Sequence, residues 1–264
     1  MTLVAVAQFA PTDDKGANLD EIERLARIAV ARGARMAVFP EYSSWFVNPL
    51  DDRCAANAEP LDGPFTARLR ELATELDITI VAGLVEQGSA TRVRNAVVAV
   101  DATGILAVYR KQHLYDAFGQ RESEWIEPGA IGEPQTFVLD GLTFGMMTCY
   151  DLRFPEVARM LADADADAAV VPAEWVRGPL KEHHWSTLLT ARAIENTMYV
   201  IAADHPAPIG VGASAIIDPQ GVSIARLAVD TDVAVAEVDP AKIATTRREN
   251  PALSLRRYRV LPEA

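Results

Sequence analysis

The run TFVLDGLTFGMMTC, residues 136–149, decides the architecture. Two apolar segments flank Asp140-Gly141, a dipeptide that suits the tight turn of a hairpin because its residues tolerate positive φ. Just upstream, NAVVAVDATGILAVY (residues 95–109) reads as another antiparallel pair, turning between Asp101 and Gly104. A third hairpin is expected from Ala213 to Leu227 around Pro219-Gln220-Gly221.

These hairpins interrupt an alternation of strands and helices. TLVAVAQF (2–9) is a short apolar strand. Asn18, with Glu21 three residues later, resembles a capping box before a helix with Ile22, Leu25, Ala26, Ala29 and Val30 on one face and Gly33 at its end. RMAVFP (35–40) is a buried strand stopped by Pro40. Gly63-Pro64 opens a helix with Phe65, Leu69, Leu72 and Leu76 on one face, and ITIVAGLVE (78–86) is the next strand. Further helices are expected at about 154–163 and 181–197, and strands at about 168–172 and 198–203. No Ser/Gly linker or repeat divides the 264 residues, which predicts a single domain. A mixed set of half-amphipathic strands with few helices predicts two sheets face to face with helices outside, since each sheet needs both faces covered. The tail NPALSLRRYRVLPEA (250–264) has no periodicity and is expected to pack as an arm.

Half of the residues are hydrophobic, and 37 Asp and Glu against 25 Lys and Arg give a formal net charge of -12. Such a surface suits neither a nucleic-acid backbone nor an anionic membrane, which points to small-molecule chemistry. No apolar run reaches the roughly 18 residues of a membrane span, and the N-terminus lacks a basic, cleavable leader; a cytoplasmic protein is expected. The two cysteines, Cys54 and Cys149, and four histidines show no metal-ligand spacing.

Three residues sit at strand exits. Glu41 follows Pro40 in VFPEYS, Lys111 follows ILAVYR, and Cys149 ends GLTFGMMTC before YDLRFPE. Singly, each has a plain reading: a solvated loop acid, a surface base, a small buried hydrophobe. Strand exits converge in packed α/β architectures, however. A carboxylate, an ammonium and a thiol meeting there would supply a base, an oxyanion stabiliser and a nucleophile for acyl transfer.

The motifs FPEYS, RKQHLY and TCYDLRFPE, in that order, with LLTARAIENTMYV (188–200) after them, resemble the nitrilase, or carbon-nitrogen hydrolase, superfamily, especially its small ω-amidase-like Nit branch. The resemblance covers nearly the whole chain. It implies a four-layer α-β-β-α sandwich, a Glu41-Lys111-Cys149 site, no metal or organic cofactor, and a homodimer or larger assembly in which the C-terminal arm crosses the interface. It also implies a second glutamate after the lysine motif. QRESEWIEPG aligns this with Glu122, with Glu124 and Glu127 as neighbouring rivals. Two departures bear on the substrate: a short segment between Tyr115 and Glu122, and Glu174-Trp175 where some relatives carry Ala-Phe.

On this reading Glu41 is the base, Cys149 forms a thioester, and Lys111 with the backbone N–H of Tyr150 holds the oxyanion. Glu174, Trp175 and His184 are candidate substrate-binding residues. Arg153 and Glu156 are expected to pair and brace the loop after the nucleophile, His113 to support the lysine loop, and Cys54 to be incidental. The expected reaction takes a small-molecule primary amide to acid and ammonia. The alternatives are a true nitrilase or N-carbamoyl amidohydrolase using the same triad, or a non-catalytic binding protein on this fold.

Overall fold

The computed structural model describes residues 1–89 and 91–261. In chain order the elements are β1 (Thr2–Gln8), α1 (Lys15–Ala31), β2 (Met36–Val38), α2 (Arg53–Asn57), α3 (Pro64–Leu76), β3 (Thr79–Glu86), β4 (Arg94–Asp101) and β5 (Gly104–Arg110). They continue with β6 (Thr136–Leu139), β7 (Leu142–Met146), α4 (Pro155–Asp163), β8 (Ala168–Ala173), α5 (Lys181–Asn196), β9 (Tyr199–Asp204), β10 (Ala215–Ile217), β11 (Ser223–Arg226), β12 (Asp232–Val238) and α6 (Pro240–Glu249). Three-residue and five-residue 3₁₀ turns occupy Glu122–Glu124 and Cys149–Arg153.

The strands form two six-stranded sheets, ordered β12-β1-β2-β3-β4-β5 and β11-β10-β9-β8-β7-β6. Each has a parallel trio at its centre, β1-β2-β3 in one and β7-β8-β9 in the other, with antiparallel strands on both sides. The predicted hairpins supply much of the antiparallel pairing, including Val138↔Thr143 about the Asp140-Gly141 turn.

Period-two alternation sorts the layers. In β1, Val4 and Val6 face the second sheet and join a cluster with Phe144, Met146, Val170 and Ile201. Ala5 and Ala7 face the other way and pack with Ile22, Leu25 and Ala29 of α1 and with Leu69 and Leu72 of α3. Small residues on that outer face let the helices approach the sheet closely. On the far side Val157 and Leu161 of α4 and Leu189 and Ala193 of α5 cover the second sheet. The result is the expected α-β-β-α sandwich.

The entry to α1 differs from the expectation. Asp14 is the N-cap, accepting from the N–H of Ala17 at 3.0 Å. Asn18 lies one turn inside the helix, buried, and its side chain accepts from the N–H of Thr12 and donates to the carbonyls of Thr12 and Ser44. An amide can satisfy donors and acceptors together, so this Asn clamps the loop before the helix in place of capping it. The strand β12, which closes the first sheet against β1, and the helix α6 occupy a stretch with no specific prediction.

The tail does not pack closely on its own chain. Leu255, Tyr258 and Leu261 are exposed, and Arg256 reaches Asp163 of α4; residues 262–264 lie outside the described residues. Among the described residues, no helix is long and apolar enough to cross a membrane.

Leu69 is fully buried between α3 and the first sheet. Leu69→Ala is expected to cost about 2–5 kcal/mol, the lost transfer energy plus the cavity left behind, read as a lower urea midpoint with unchanged slope.

Candidate active site

Strand exits bring the three reactive residues together. Glu41 leaves β2 through Phe39-Pro40, and the turn it enters is fixed by β3: the N–H of Gly83 donates to the Pro40 carbonyl and the N–H of Ser44 to the Gly83 carbonyl. Tyr42 adopts φ 58, and a Cβ on Gly83 would sit 2.3 Å from the Tyr42 nitrogen. Only glycine lets the turn lie this close to the strand.

Lys111 directly follows β5, its N–H bonded to the Asn95 carbonyl. Cys149 opens the 3₁₀ turn after β7 with φ 46, a conformation costly for a residue with a Cβ and held here by its neighbours. Thr148 caps that turn. Its hydroxyl donates to the Pro172 carbonyl and accepts from the Asp151 N–H, while the Asp151 carboxylate accepts from the Thr148 N–H. Asp151 also takes the Tyr109 hydroxyl, the His113 backbone N–H and, at 2.8 Å, the His113 Nδ1. One buried carboxylate thereby joins the cysteine turn to the lysine loop, and His113 stacks on Phe154.

The Lys111 ammonium lies 2.9 Å from Glu41 Oε1 and 2.9 Å from Glu122 Oε2, with all three side chains buried. Asn95 Nδ2 donates to Glu41 Oε1 at 2.6 Å, and the backbone N–H of Glu174 donates to Glu41 Oε2 at 2.6 Å. Glu122 accepts from the Tyr42 hydroxyl and the Tyr115 backbone N–H. The Cys149 thiol donates to the Glu174 carbonyl at 3.3 Å. Of the rival acids, Glu124 stays at the 3₁₀ turn's outer side near Arg121, and Glu127 pairs with Arg94 at 2.7 Å. Geometry singles out Glu122.

The two carboxylates are not equivalent. Burial pushes Glu41 up from the ordinary carboxylate range, and Lys111 only partly offsets this while the Glu122 charge adds to it. Burial acts on Glu122 too, but Lys111, the Tyr42 hydroxyl and the Tyr115 N–H outweigh it and hold Glu122 low. Desolvation works against the Lys111 charge, yet Glu122 and Glu41 together keep its pKa well above the usual lysine value. Burial first, then Glu41, raises the Cys149 thiol well above its normal range, so the resting sulfur carries its proton. The same ammonium thus lies between two acids whose surroundings push their pKa values in opposite directions.

A cavity of about 220 Å³ opens beside these groups, lined by Cys149, Lys111, Glu122, Glu174 and Tyr42 among others. A recess of about 10 Å³ adjoins it, bounded by Arg153, Lys181, Trp175 and Tyr150. Trp175 is buried, its backbone N–H bonded to Asp204 Oδ1 and its indole N–H to the Lys181 carbonyl.

Two expectations are corrected here. Arg153 does not pair with Glu156, which is exposed on the first turn of α4; its guanidinium lies over Trp175 at 4.8 Å, held there by the aromatic wall. His184 does not line the cavity. It sits next to Arg153, its Nδ1 3.4 Å from Arg153 Nη2, and borders neither the cavity nor the recess. Cys54 is buried with Tyr42, Trp45 and Phe46, remote in the chain from the thiol chemistry.

Asn95, Tyr42, Tyr115, Lys181 and His205 are residues the sequence reading passed over. His205 Nε2 donates to the Glu41 carbonyl at 2.7 Å, and its burial lowers its pKa to about 4, so the ring is neutral. A polar residue inside an apolar strand, as Asn95 is in RNAVVAVD, was the one available signal. Tyr42, Tyr115 and His205 come from loops, where no periodicity marks them, and Lys181 is the first residue of α5. Among the described residues, no group of three or more His, Cys, Asp or Glu is arranged to hold a metal ion.

Comparison with known proteins shows the family and the fold. The family described as carbon-nitrogen hydrolase matches residues 3–248. The chain is 40% identical over 256 residues to the deaminated glutathione amidase of Escherichia coli O157:H7, covering 97% of each. It is 33% identical over 276 residues to that of Mus musculus, covering 97% of this chain and 84% of the other. Among solved structures, Saccharomyces cerevisiae Nit3, of the nitrilase superfamily, superimposes with TM-score 0.84 at 26% identity over 97% of each chain. A double mutant of the amidase from Nesterenkonia sp. AN1 in complex with acrylamide gives 0.83 at 25% identity, covering 97% of this chain and 94% of that one.

Because Lys111 is the ion-pair partner of two buried acids, Lys111→Met leaves Glu41 and Glu122 facing each other in a dry interior. A loss of about 3–5 kcal/mol is expected, as for breaking other buried ion pairs by removing one partner, measured by urea denaturation at neutral pH.

Proposed function

The chain belongs to the carbon-nitrogen hydrolase family, and from that premise we propose that it hydrolyses a small primary amide to acid and ammonia through a thioester on Cys149. The observation that carries this reading is the placement of Lys111 between Glu41 and Glu122 beside a buried, protonated thiol. A thiol held above its ordinary pKa is a poor nucleophile until its proton is removed. Glu41, itself raised, is matched to take that proton as sulfur attacks the amide carbon.

Charge then develops on the carbonyl oxygen, and the Lys111 ammonium and the backbone N–H of Tyr150 stabilise it. One such donor is worth roughly 3–4 kcal/mol of barrier. Protonated Glu41 delivers its proton to the departing nitrogen, so ammonia leaves and the acyl group stays on sulfur. In the second half Glu41 takes a proton from water, hydroxide equivalent attacks the thioester, and the thiol recovers its proton. Glu122 keeps its charge throughout and fixes the ammonium. His113 and Asp151 hold the lysine loop against the cysteine turn.

Arg153 and Lys181 bear on the acyl group. Both cations border the recess next to Cys149, which Glu174 also lines, and Glu182, next to Lys181 in the chain, faces Arg177. Lys181 donates to the Tyr115 hydroxyl at 2.5 Å and lies 4.3 Å from the Phe118 ring centroid. Two cations desolvated against aromatic faces favour an anion, so an amide carrying a carboxylate at its far end fits this wall best. Relatives named for an amidase of deaminated glutathione support the amide reading.

Rapid quench of an amide turnover, followed by intact mass measurement, is expected to show an acyl adduct on the peptide containing Cys149. Cys149→Ala should abolish both adduct and ammonia release, with Cys54→Ala nearly silent. A nitrile consumed far faster than its matching amide would replace this reading with a nitrilase, and binding without any turnover would replace it with a scaffold role.

The same proposal includes a homo-oligomer closed by the tail. Leu255, Tyr258 and Leu261 expose apolar surface on a segment with little packing of its own, and apolar side chains presented in this way gain by association. Removing residues 251–264 is expected to lower the molar mass measured by sedimentation at micromolar concentration. A full-length protein that sediments as a monomer would overturn this part alone.

A further inference from the structure

The reaction uses Glu174 only through its backbone, which supplies an N–H to Glu41 and a carbonyl to the thiol. Its side chain does neither. Oε1 is sealed from solvent and has no hydrogen-bond partner among the described residues. The residue also lines both the cavity beside Cys149 and the recess bounded by Arg153 and Lys181. A buried polar atom left unpaired is destabilising, so its presence in a binding wall calls for a partner that arrives with the ligand.

Building on the amidase reading, we propose that Glu174 is a specificity-determining residue whose carboxyl group donates a hydrogen bond to an oxygen atom on the acyl chain of the substrate, on the wall it shares with Arg153 and Lys181. The surroundings explain why an acid can donate. Burial raises its pKa well above the ordinary carboxylate range, and the charges of Glu41 after β2, Asp204 at the end of β9 and Glu122 add to that rise. Lys111 after β5 opposes them without prevailing. Cys149, Tyr115 and Lys181 also feel the Glu174 charge, from β7's exit, the lysine loop and the start of α5. A pKa raised in this way favours the un-ionised acid, with an O–H to give. Together with the N–H groups of Arg153 and Lys181 it makes a wall of donors, suited to a substrate oxygen that only accepts. An un-ionised acid adds no negative charge to repel that oxygen.

The sign of the pH dependence follows. Raising the pH through the elevated pKa ionises Glu174, removes the donor and sets a carboxylate against the ligand's oxygen, so affinity falls on the alkaline side. Lys181, whose pKa burial lowers, loses charge in the same direction. A glutamine at 174 keeps a neutral donor at every pH, so only the Glu174 part of the loss disappears in that variant.

The test compares glutaramate with hexanamide, an amide of similar length lacking the terminal carboxylate. Dissociation constants are measured by calorimetry from pH 6 to 9 on Cys149→Ala protein alone and combined with Glu174→Gln or Glu174→Ala. Glutaramate is expected to bind about 10-fold more weakly to the Ala variant, the equivalent of one lost hydrogen bond, and within about 3-fold of the parent to the Gln variant. Hexanamide should be unaffected by either change, and the Gln variant should show a shallower alkaline loss for glutaramate. Equal weakening in both variants, equal effects on both amides, or no measurable glutaramate binding overturns the proposal. The acyl adduct, followed separately on protein with Cys149 intact, reports on the amidase reading, so failure of one is distinguishable from failure of the other.

Discussion

An ammonium buried between two carboxylates is the constraint on which this structure depends. Lys111, Glu41 and Glu122 are each almost wholly removed from water, and isolated charges in such a place would be lost to proton transfer or to unfolding. They persist because every oxygen has a partner: Asn95 and the Glu174 N–H on Glu41, the Tyr42 hydroxyl and the Tyr115 N–H on Glu122. The trio is also unbalanced. Two acids share one base: burial holds Glu41 above the ordinary carboxylate range, while Lys111 and the hydrogen bonds on Glu122 outweigh burial and hold it below. The proposed proton transfer uses that asymmetry.

The rest of the molecule holds those partners at fixed positions. Glu41 comes from one sheet and Cys149 and Glu174 from the other, so the site exists only where the two inner faces have packed. Strained backbone occurs at the site too. Tyr42 and Cys149 both take positive φ, and each is over-determined by neighbours: the Gly83 contact and β3 hydrogen bonds for the first, the Thr148–Asp151 cap for the second. Asp151 extends the restraint to the lysine loop through His113, so the Cys149 turn and the Lys111 loop are fixed relative to each other.

The wall that faces the acyl group is built on a different principle. Arg153 and Lys181 are held by aromatic faces in place of carboxylates, which keeps their charge available to a ligand and limits their hydration. Trp175 organises this wall, pinned by Asp204 through its backbone and by the Lys181 carbonyl through its ring. The acids about Lys111 are thus satisfied within the protein, whereas Glu174 Oε1, beside this wall, has no partner among the described residues.

Local pattern determined a large part of this protein. The Asp140-Gly141 hairpin, the apolar faces of α1 and α3 and the buried run of β3 are visible in sequence because side-chain periodicity of two or 3.6 residues is a property of the chain itself. The positions of Glu41, Lys111 and Cys149 at strand exits were legible for the same reason. Their convergence was not, since it depends on which strands pair and how two sheets stack. Asn18 shows the limit at short range: its spacing fits a cap, yet a competing acceptor at Asp14 and the carbonyl of Ser44, 26 residues away, turned it into a clamp. The family resemblance points to Glu122 over Glu124 and Glu127, but its contact with Lys111, the placing of Arg153 on Trp175 and that of His184 beside Arg153 were decided by the tertiary structure. Which acid among three neighbours meets a lysine is fixed by loop geometry and by desolvation, and neither is written in the spacing of the residues.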